Sequence, residues 1–366
     1  MGSGLFVKSL FLLVSCGYCS EPIVALKLTI VKVTKILKMR ILFSFYDVLP
    51  LVVLYIFIGS GLVDRSIGNQ KFDVDSYIVV DLHSKKILSA REVNKKRQVA
   101  SLTKITTAVV VLDWAKVTGV DLGQNIIIPQ SALSIGGPNQ LKLRPGDQLS
   151  IRDALYCSVL GSNNWTAEAL AYHVGKDLLI RGGKNGDPVK EFVKHMNALA
   201  VEYGSKYTKF INPHGMDHQG KTPYSTASDV ARLTIYAMEK AAFSFICSQA
   251  ERKVSILSIG GRKEFIVKNT NKILNVDGID GVKTGLTSRA GPCLVVTAAK
   301  QPIVSELADG NKQVTPRRLV VVVLGASDRF GAARSLLLRG WQKFETWNRS
   351  GRQVRDRAEL LSMSKE

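Results

Sequence analysis

Residues 77–115 read YIVVDLHSKKILSAREVNKKRQVASLTKITTAVVVLDWA. Two short apolar runs, 77–81 and 86–92, flank the polar break LHSKK and predict a β-hairpin. A helix is predicted over 101–117, where Ile105, Ala108, Val109, Leu112 and Ala115 recur at helical spacing. Further on, Ser150-Ile151-Arg152-Asp153 resembles a capping box that opens a helix to about Leu160. Gly161-Ser162-Asn163-Asn164 interrupts it, and a second helix follows to about Val174. Helices also fit 189–203 and 228–245, the latter capped by Ser228. Strands return at 263–268, 280–287, 292–299 and 318–324, and an amphipathic helix covers about 331–345. Strands therefore sit at both ends and helices fill the middle. The expected class is α+β: one antiparallel sheet built from both ends of the chain, flanked by helices, with an all-helical subdomain inserted. The polar stretch 300–317, with Pro302 and Pro316, reads as a long loop, and 346–366 as a frayed basic tail.

The 366 residues are 46% hydrophobic and 22% charged, which excludes a disordered chain. The formal net charge is +20; the first 61 residues carry six basic and two acidic side chains, leaving +16 on 62–366. That balance favours an anionic partner such as an acidic polymer or lipid headgroups. Five cysteines exclude a disulfide scaffold, and Cys157, Cys247 and Cys293, an odd number, leave at least one free thiol.

Residues 1–61 read as a targeting segment. The uncharged run VLPLVVLYIFIGSGLV (48–63) follows a basic stretch, Lys27 to Arg40, and contains the small residues Gly59, Ser60 and Gly61. This is the order of a secretory signal, and an N-terminal membrane anchor fits as well. Met39, just before the run, is an alternative start; Leu13-Val14-Ser15-Cys16 matches a lipoprotein cleavage box by chance.

Three short signals carry chemistry. In Ser101-Leu102-Thr103-Lys104, positions i and i+3 share a helix face, so the amine reaches the hydroxyl. Serine needs an adjacent base, and lysine serves when burial and a second cation depress its pKa. The pattern alone says little, since Ser362-Met363-Ser364-Lys365 also matches it in the polar tail. At the helix break, the Ser162 hydroxyl can move a proton and the Asn164 amide can bind a carbonyl or brace the lysine; helix capping explains the same residues. In GIDGVKTGLTSRAGPCLVV (278–296), strand alternation sets Lys283 and Gly285 on one face and Thr284 on the other. A glycine there admits a substrate backbone. On helix, helix break and strand, in this order, the trio is specific.

The stretch 77–115, with LRPGDQLSIRDALYCSVLGSNNWTAEALA (143–171), INPHGMDHQGKTPYSTASDVARL (211–233) and VDGIDGVKTGLTSRAG (276–291), resembles the D-alanyl-D-alanine carboxypeptidases, the low-molecular-mass penicillin-binding proteins. The resemblance covers about 74–346 and implies the penicillin-binding, serine β-lactamase-like transpeptidase fold. It implies a penicillin-sensitive serine hydrolase acting on peptidoglycan stem peptides that end in D-Ala-D-Ala, exported to the periplasm or the outer face of the cytoplasmic membrane. By this resemblance Ser101 is the nucleophile, Lys104 its base and Ser162 a proton relay. Asn164 contacts the substrate amide, Lys283 supplies positive potential, and Thr284 binds the terminal carboxylate. Gly285 lets the substrate approach, the backbone N–H groups of Ser101 and Leu286 form the oxyanion hole, and Arg329 also holds the carboxylate. β-Lactams are implied as covalent inhibitors, the N-terminal segment offers a membrane attachment, and no cofactor, metal or nucleic acid is expected. The domains are then 1–61 as targeting segment, 62–346 as the enzyme and 347–366 as a basic tail without a second β-rich domain.

Rival readings are weaker. Gly215 to Thr222 (GMDHQGKT) matches the phosphate-loop pattern of an NTPase. Pro213 breaks the strand such a loop requires, and Pro223 pushes Thr222 away from helical angles. A β-lactamase adds a carboxylate for deacylation, but no Glu-x-x-Leu-Asn follows Ser162, and Glu191 fits an ordinary helix. A wall-binding module without catalysis conflicts with the intact trio, and a D,D-endopeptidase would use the same one. No metal-binding spacing such as His-Glu-x-x-His occurs, and His214 reads as a loop-bracing residue.

Overall fold

The computed structural model describes residues 73–217, 220, 222–307 and 309–364. The targeting segment 1–61, with its anchor, the alternative start at Met39 and the Cys16 box, lies outside the described residues. Among the described residues no helix is long and apolar enough to cross a membrane.

The main sheet joins both ends of the chain, as the sequence predicts. Its order is β2-β1-β9-β8-β7, with β1 Val74–Asp81, β2 Ile87–Arg91, β7 Ile279–Thr287, β8 Gly291–Glu306 and β9 Lys312–Ala326. All the pairings are antiparallel. The run Leu319-Val320-Val321-Val322-Val323-Leu324 is apolar throughout because both faces of the sheet are covered. Leu319, Val321 and Val323 pack with Leu336, Leu337, Trp341 and Phe344 of the last helix, α7 (Arg329–Arg349). Val320, Val322 and Leu324 face the helical side. Each such side chain contributes roughly 1.5–3 kcal/mol when fully buried.

On the helical side lie α1 (Thr103–Thr118), α2 (Ile151–Val159), α3 (Asn164–Arg181), α4 (Pro188–Glu202), α5 (Ala227–Met238) and α6 (Ala241–Cys247). Helix α1 is buried around most of its circumference, Lys104, Thr106 and Thr107 included, rather than along one apolar stripe. Thr107 is satisfied from a neighbouring loop, its hydroxyl donating to the Pro213 carbonyl at 2.6 Å. The inserted region also carries a second antiparallel sheet, order β3-β4-β5-β6, from β3 Asn125–Ile127, β4 Gln148–Ser150, β5 Glu251–Ser258 and β6 Gly261–Lys268. Strands β3 and β4, of three residues each, fall below what periodicity can detect; β6 contains the predicted strand 263–268, and β5 is not among the predicted strands.

Several boundaries differ for local reasons. The stretch 228–245 is two helices, α5 and α6, and the cap of α5 is Thr226, whose hydroxyl accepts from Asp229 N at 3.1 Å. Ser228 instead donates to Asn94 Oδ1 at 2.8 Å. The stretch 300–317 is not a loop: it extends β8 and β9 as a two-stranded ribbon. Lys300 pairs with Arg317 and Ile303 with Thr315, so Gln301 and Pro302 oppose Pro316 alone. Such a bulge is where a ribbon tolerates proline. The described part of the tail, up to residue 364, does not fray. Residues 346–349 complete α7, Leu361 N donates to the Lys85 carbonyl at 2.9 Å, and Leu361 and Met363 are buried.

Candidate active site

Ser101 sits on a 3-10 turn, Ala100–Leu102, that runs directly into α1. Ala100 takes a φ of 49°, a left-handed conformation unusual for a residue with a side chain. Ser162 has a φ of 59° at the junction of α2 and α3. Backbone strain of this kind concentrates at functional sites.

Three elements converge on α1. From the α2–α3 junction, Asn163 caps α3 by accepting from Thr166 N at 3.0 Å, which frees Asn164 to point inward. From the loop before α5, Asn212 Oδ1 accepts from Gly215 N at 2.7 Å and turns the chain beneath Ser101. Gly215 has a φ of 84°, and a Cβ there would lie 2.0 Å from the Ala100 carbonyl oxygen. From the open edge of the main sheet, β7 brings Lys283, Thr284 and Gly285. A Cβ on Gly285 would lie 2.8 Å from the Val99 carbonyl oxygen. The backbone this glycine admits is the protein's own turn at residues 99–102.

Lys104 is fully buried. Its Nζ lies 2.8 Å from Ser101 Oγ, 2.7 Å from Asn164 Oδ1 and 2.9 Å from the His214 carbonyl oxygen. The last two are acceptors only, so a neutral amine spends both its protons on them and turns its lone pair to the Ser101 hydroxyl. The electrostatics favour that neutral form. Burial first, then the charge of Lys283, hold Lys104 well below the ordinary lysine range. Burial, then Arg329, bring Lys283 down to about 7. Arg329, the first residue of α7, donates to the Gly285 carbonyl at 2.7 Å.

Ser162, half-buried two residues before Asn164, is not among the three partners of Lys104 Nζ. Lys283 is buried and donates to the Thr284 carbonyl at 3.1 Å. Thr284, also buried, has its hydroxyl 2.7 Å from that of Thr270. Leu286 projects outward, 62% exposed, and could contribute only its backbone.

Sequence reasoning missed the His214 carbonyl, although the INPHG run that carries it was in view. It also missed a cavity of about 440 Å³ flanked by Gly136, His214 and Glu168. Glu168 stands one helical turn after Asn164 and is buried; burial pushes its carboxyl up while the Ser131 hydroxyl, 2.8 Å away, pulls it down. The phosphate-loop reading fails. Gly215 closes the turn under Ser101, and among the described residues between Gly215 and Ala227 no helix begins; His218, Gln219 and Lys221 lie outside the described residues.

A family description, D-alanyl-D-alanine carboxypeptidase, matches residues 64–307. The chain is 29% identical over 278 residues to D-alanyl-D-alanine carboxypeptidase DacF of Bacillus subtilis, covering 75% of this chain and 64% of DacF. It thus spans a little under two thirds of that relative. It is 32% identical over 238 residues to the D-alanyl-D-alanine endopeptidase of Pseudomonas aeruginosa, covering 64% of this chain and 70% of that protein. Among solved structures, the Streptomyces K15 DD-transpeptidase superposes with a TM-score of 0.63 at 24% identity, over 75% of this chain and 99% of its own. Penicillin-binding protein D2 from Listeria monocytogenes, in its ampicillin-bound form, gives 0.59 at 24% identity over 75% and 99%. These two likenesses establish the penicillin-binding, transpeptidase-type α+β fold.

Proposed function

Because the chain belongs to the D-alanyl-D-alanine carboxypeptidase family, we propose that it is a serine-type D-Ala-D-Ala carboxypeptidase of the cell wall, exported, that removes the terminal D-Ala from peptidoglycan stem peptides. The observation that carries this is the placement of Lys104 between two obligate acceptors and the Ser101 hydroxyl. Ser101 Oγ attacks the penultimate D-Ala carbonyl and its proton passes to Lys104 Nζ. The developing oxyanion is held by the backbone N–H groups of Ser101 and Leu286; losing one such donor costs about 3–4 kcal/mol. Ser162 passes the proton on to the leaving amine, and D-Ala departs. Water then attacks the ester on Ser101, Lys104 takes its proton, and the shortened peptide is released with the serine restored. Asn164 braces Lys104 and meets the substrate amide. Thr284, with Lys283 and Arg329 behind it, receives the terminal carboxylate. β-Lactams carry a strained amide and a carboxylate at comparable places, and so acylate Ser101.

The test is a mass spectrum of the protein after exposure to a labelled penicillin. The expected result is one adduct, on Ser101, absent in Ser101→Ala. No adduct, or one that persists in that variant, overturns the assignment. Release of free D-Ala from a synthetic peptide ending in D-Ala-D-Ala checks the hydrolysis. The Pseudomonas relative, named an endopeptidase, favours a second reading in which the same site cuts cross-links. A cross-linked muropeptide dimer offered beside the linear peptide separates the two by which is consumed faster.

A further inference from the structure

Thr270 lies in the segment between β6 and β7, outside the residues given roles above. Its hydroxyl stands 2.7 Å from the Thr284 hydroxyl and 3.1 Å from the Leu160 carbonyl oxygen. Its backbone N–H also donates to that carbonyl at 3.1 Å. Neighbouring Asn271 fixes the segment by donating through Nδ2 to the Gly281 carbonyl at 2.9 Å. Thr270 thus joins the end of α2, two residues before Ser162, to the strand that carries Thr284.

A hydroxyl holds one proton, and a carbonyl only accepts. At rest Thr284 donates to Thr270, and Thr270 donates to Leu160. In that order Thr284 offers an incoming anion nothing but lone pairs. Reversal is cheap, because the Leu160 carbonyl keeps the Thr270 N–H. After it, Thr270 donates to Thr284 and the Thr284 proton points at the anion. Hydrogen bonds in such a chain polarise one another, which strengthens the terminal one.

We propose that Thr270 is a positioning residue that turns and supports the Thr284 hydroxyl, and so makes the site selective for substrates ending in a carboxylate. This rests on the acyl-transfer reading above. The test measures the acylation rate of Ser101 by a penicillin and by its neutral methyl ester, in the wild type, Thr270→Val and Thr270→Ser. In Thr270→Val the penicillin rate falls roughly tenfold, about the weight of one charge-assisted hydrogen bond, while the ester rate changes far less. Thr270→Ser, which keeps the hydroxyl, restores the preference. Equal slowing of both compounds, or an unchanged or larger preference for the penicillin in Thr270→Val, overturns the proposal. A wild type that forms no adduct overturns the acyl-transfer reading itself and this inference with it. Thermal unfolding of each variant separates a lost hydroxyl from a lost fold: a Thr270→Val protein that melts like the wild type and keeps its preference also overturns it.

Discussion

Gly285 and Val99 approach so closely that any side chain on the glycine would collide with the Val99 carbonyl. The same built Cβ would stand 3.3 Å from Ala100 Cβ, the residue before Ser101. Gly285→Ala must therefore push β7 away from the nucleophile turn. The expected cost is about 1–3 kcal/mol of stability, as for other overpacked sites. Penicillin acylation falls by roughly 10²-fold, because a misplacement of 1 Å at a reacting centre has about that effect. Stopped-flow acylation and urea denaturation check both; an alanine variant with wild-type acylation shows that the strand has room to move.

Asn164 tests the neutral amine. Its Oδ1 is 2.7 Å from Lys104 Nζ, and Asn164→Asp changes almost nothing in shape while placing a negative charge there. An opposite charge at this range favours the protonated amine. The Lys104 pKa rises, and the acid limb of the acylation-against-pH profile moves to higher pH. At pH 7 the rate falls roughly 10²–10⁴-fold, the usual weight of a general base, with partial recovery toward pH 9. A profile that only drops in height, without moving, speaks against Lys104 as the base.

The grouping of these side chains was partly legible in the sequence. Helical spacing sets Lys104 beside Ser101, while Asn164 and Lys283 reach Lys104 from two other elements. In Ser162-Asn163-Asn164, capping falls on Asn163, while Asn164 bonds to the lysine. What was not legible depends on chain segments far apart in sequence. The His214 carbonyl leaves no side-chain signature, and Thr270 gains meaning only from standing opposite Thr284. The 300–317 ribbon was hidden by its prolines, which the bulge accommodates, and the buried tail by its charge, since only Leu361 and Met363 are fully covered.

Lys283 makes the fold's stability depend on pH in a specific direction. Its pKa is lowered to about 7 in the folded protein, against ~10.4 in an unfolded chain. Between these values the unfolded chain binds more protons, so the free energy of unfolding rises with pH through the window and flattens above it. For a fully buried amine the rise is on the order of a few kcal/mol. Lys283→Met keeps the volume and removes the titration. The difference in unfolding free energy, wild type minus variant, should therefore grow from pH 7 to pH 10 in chemical denaturation. A difference that stays constant means that Lys283 keeps an ordinary pKa.

The C-terminal segment offers a prediction that separates stability from chemistry. Leu361 is 3% exposed and its backbone pairs with Lys85, while Arg232 Nε donates to the Ser362 carbonyl at 2.7 Å. The segment thus lies against the β1–β2 turn and α5, away from Ser101. Leu361→Ala leaves a cavity and should cost about 2–4 kcal/mol. Its effect on the acylation rate of the folded protein should be within twofold, because no group around Lys104 loses a contact. Loss of less than about 0.5 kcal/mol, the range of ordinary surface substitutions, means that the segment is detached in solution. Unchanged stability with slowed acylation would instead link this segment to the site through the core that Leu361 and Met363 share with Val99, Ala100 and Leu102.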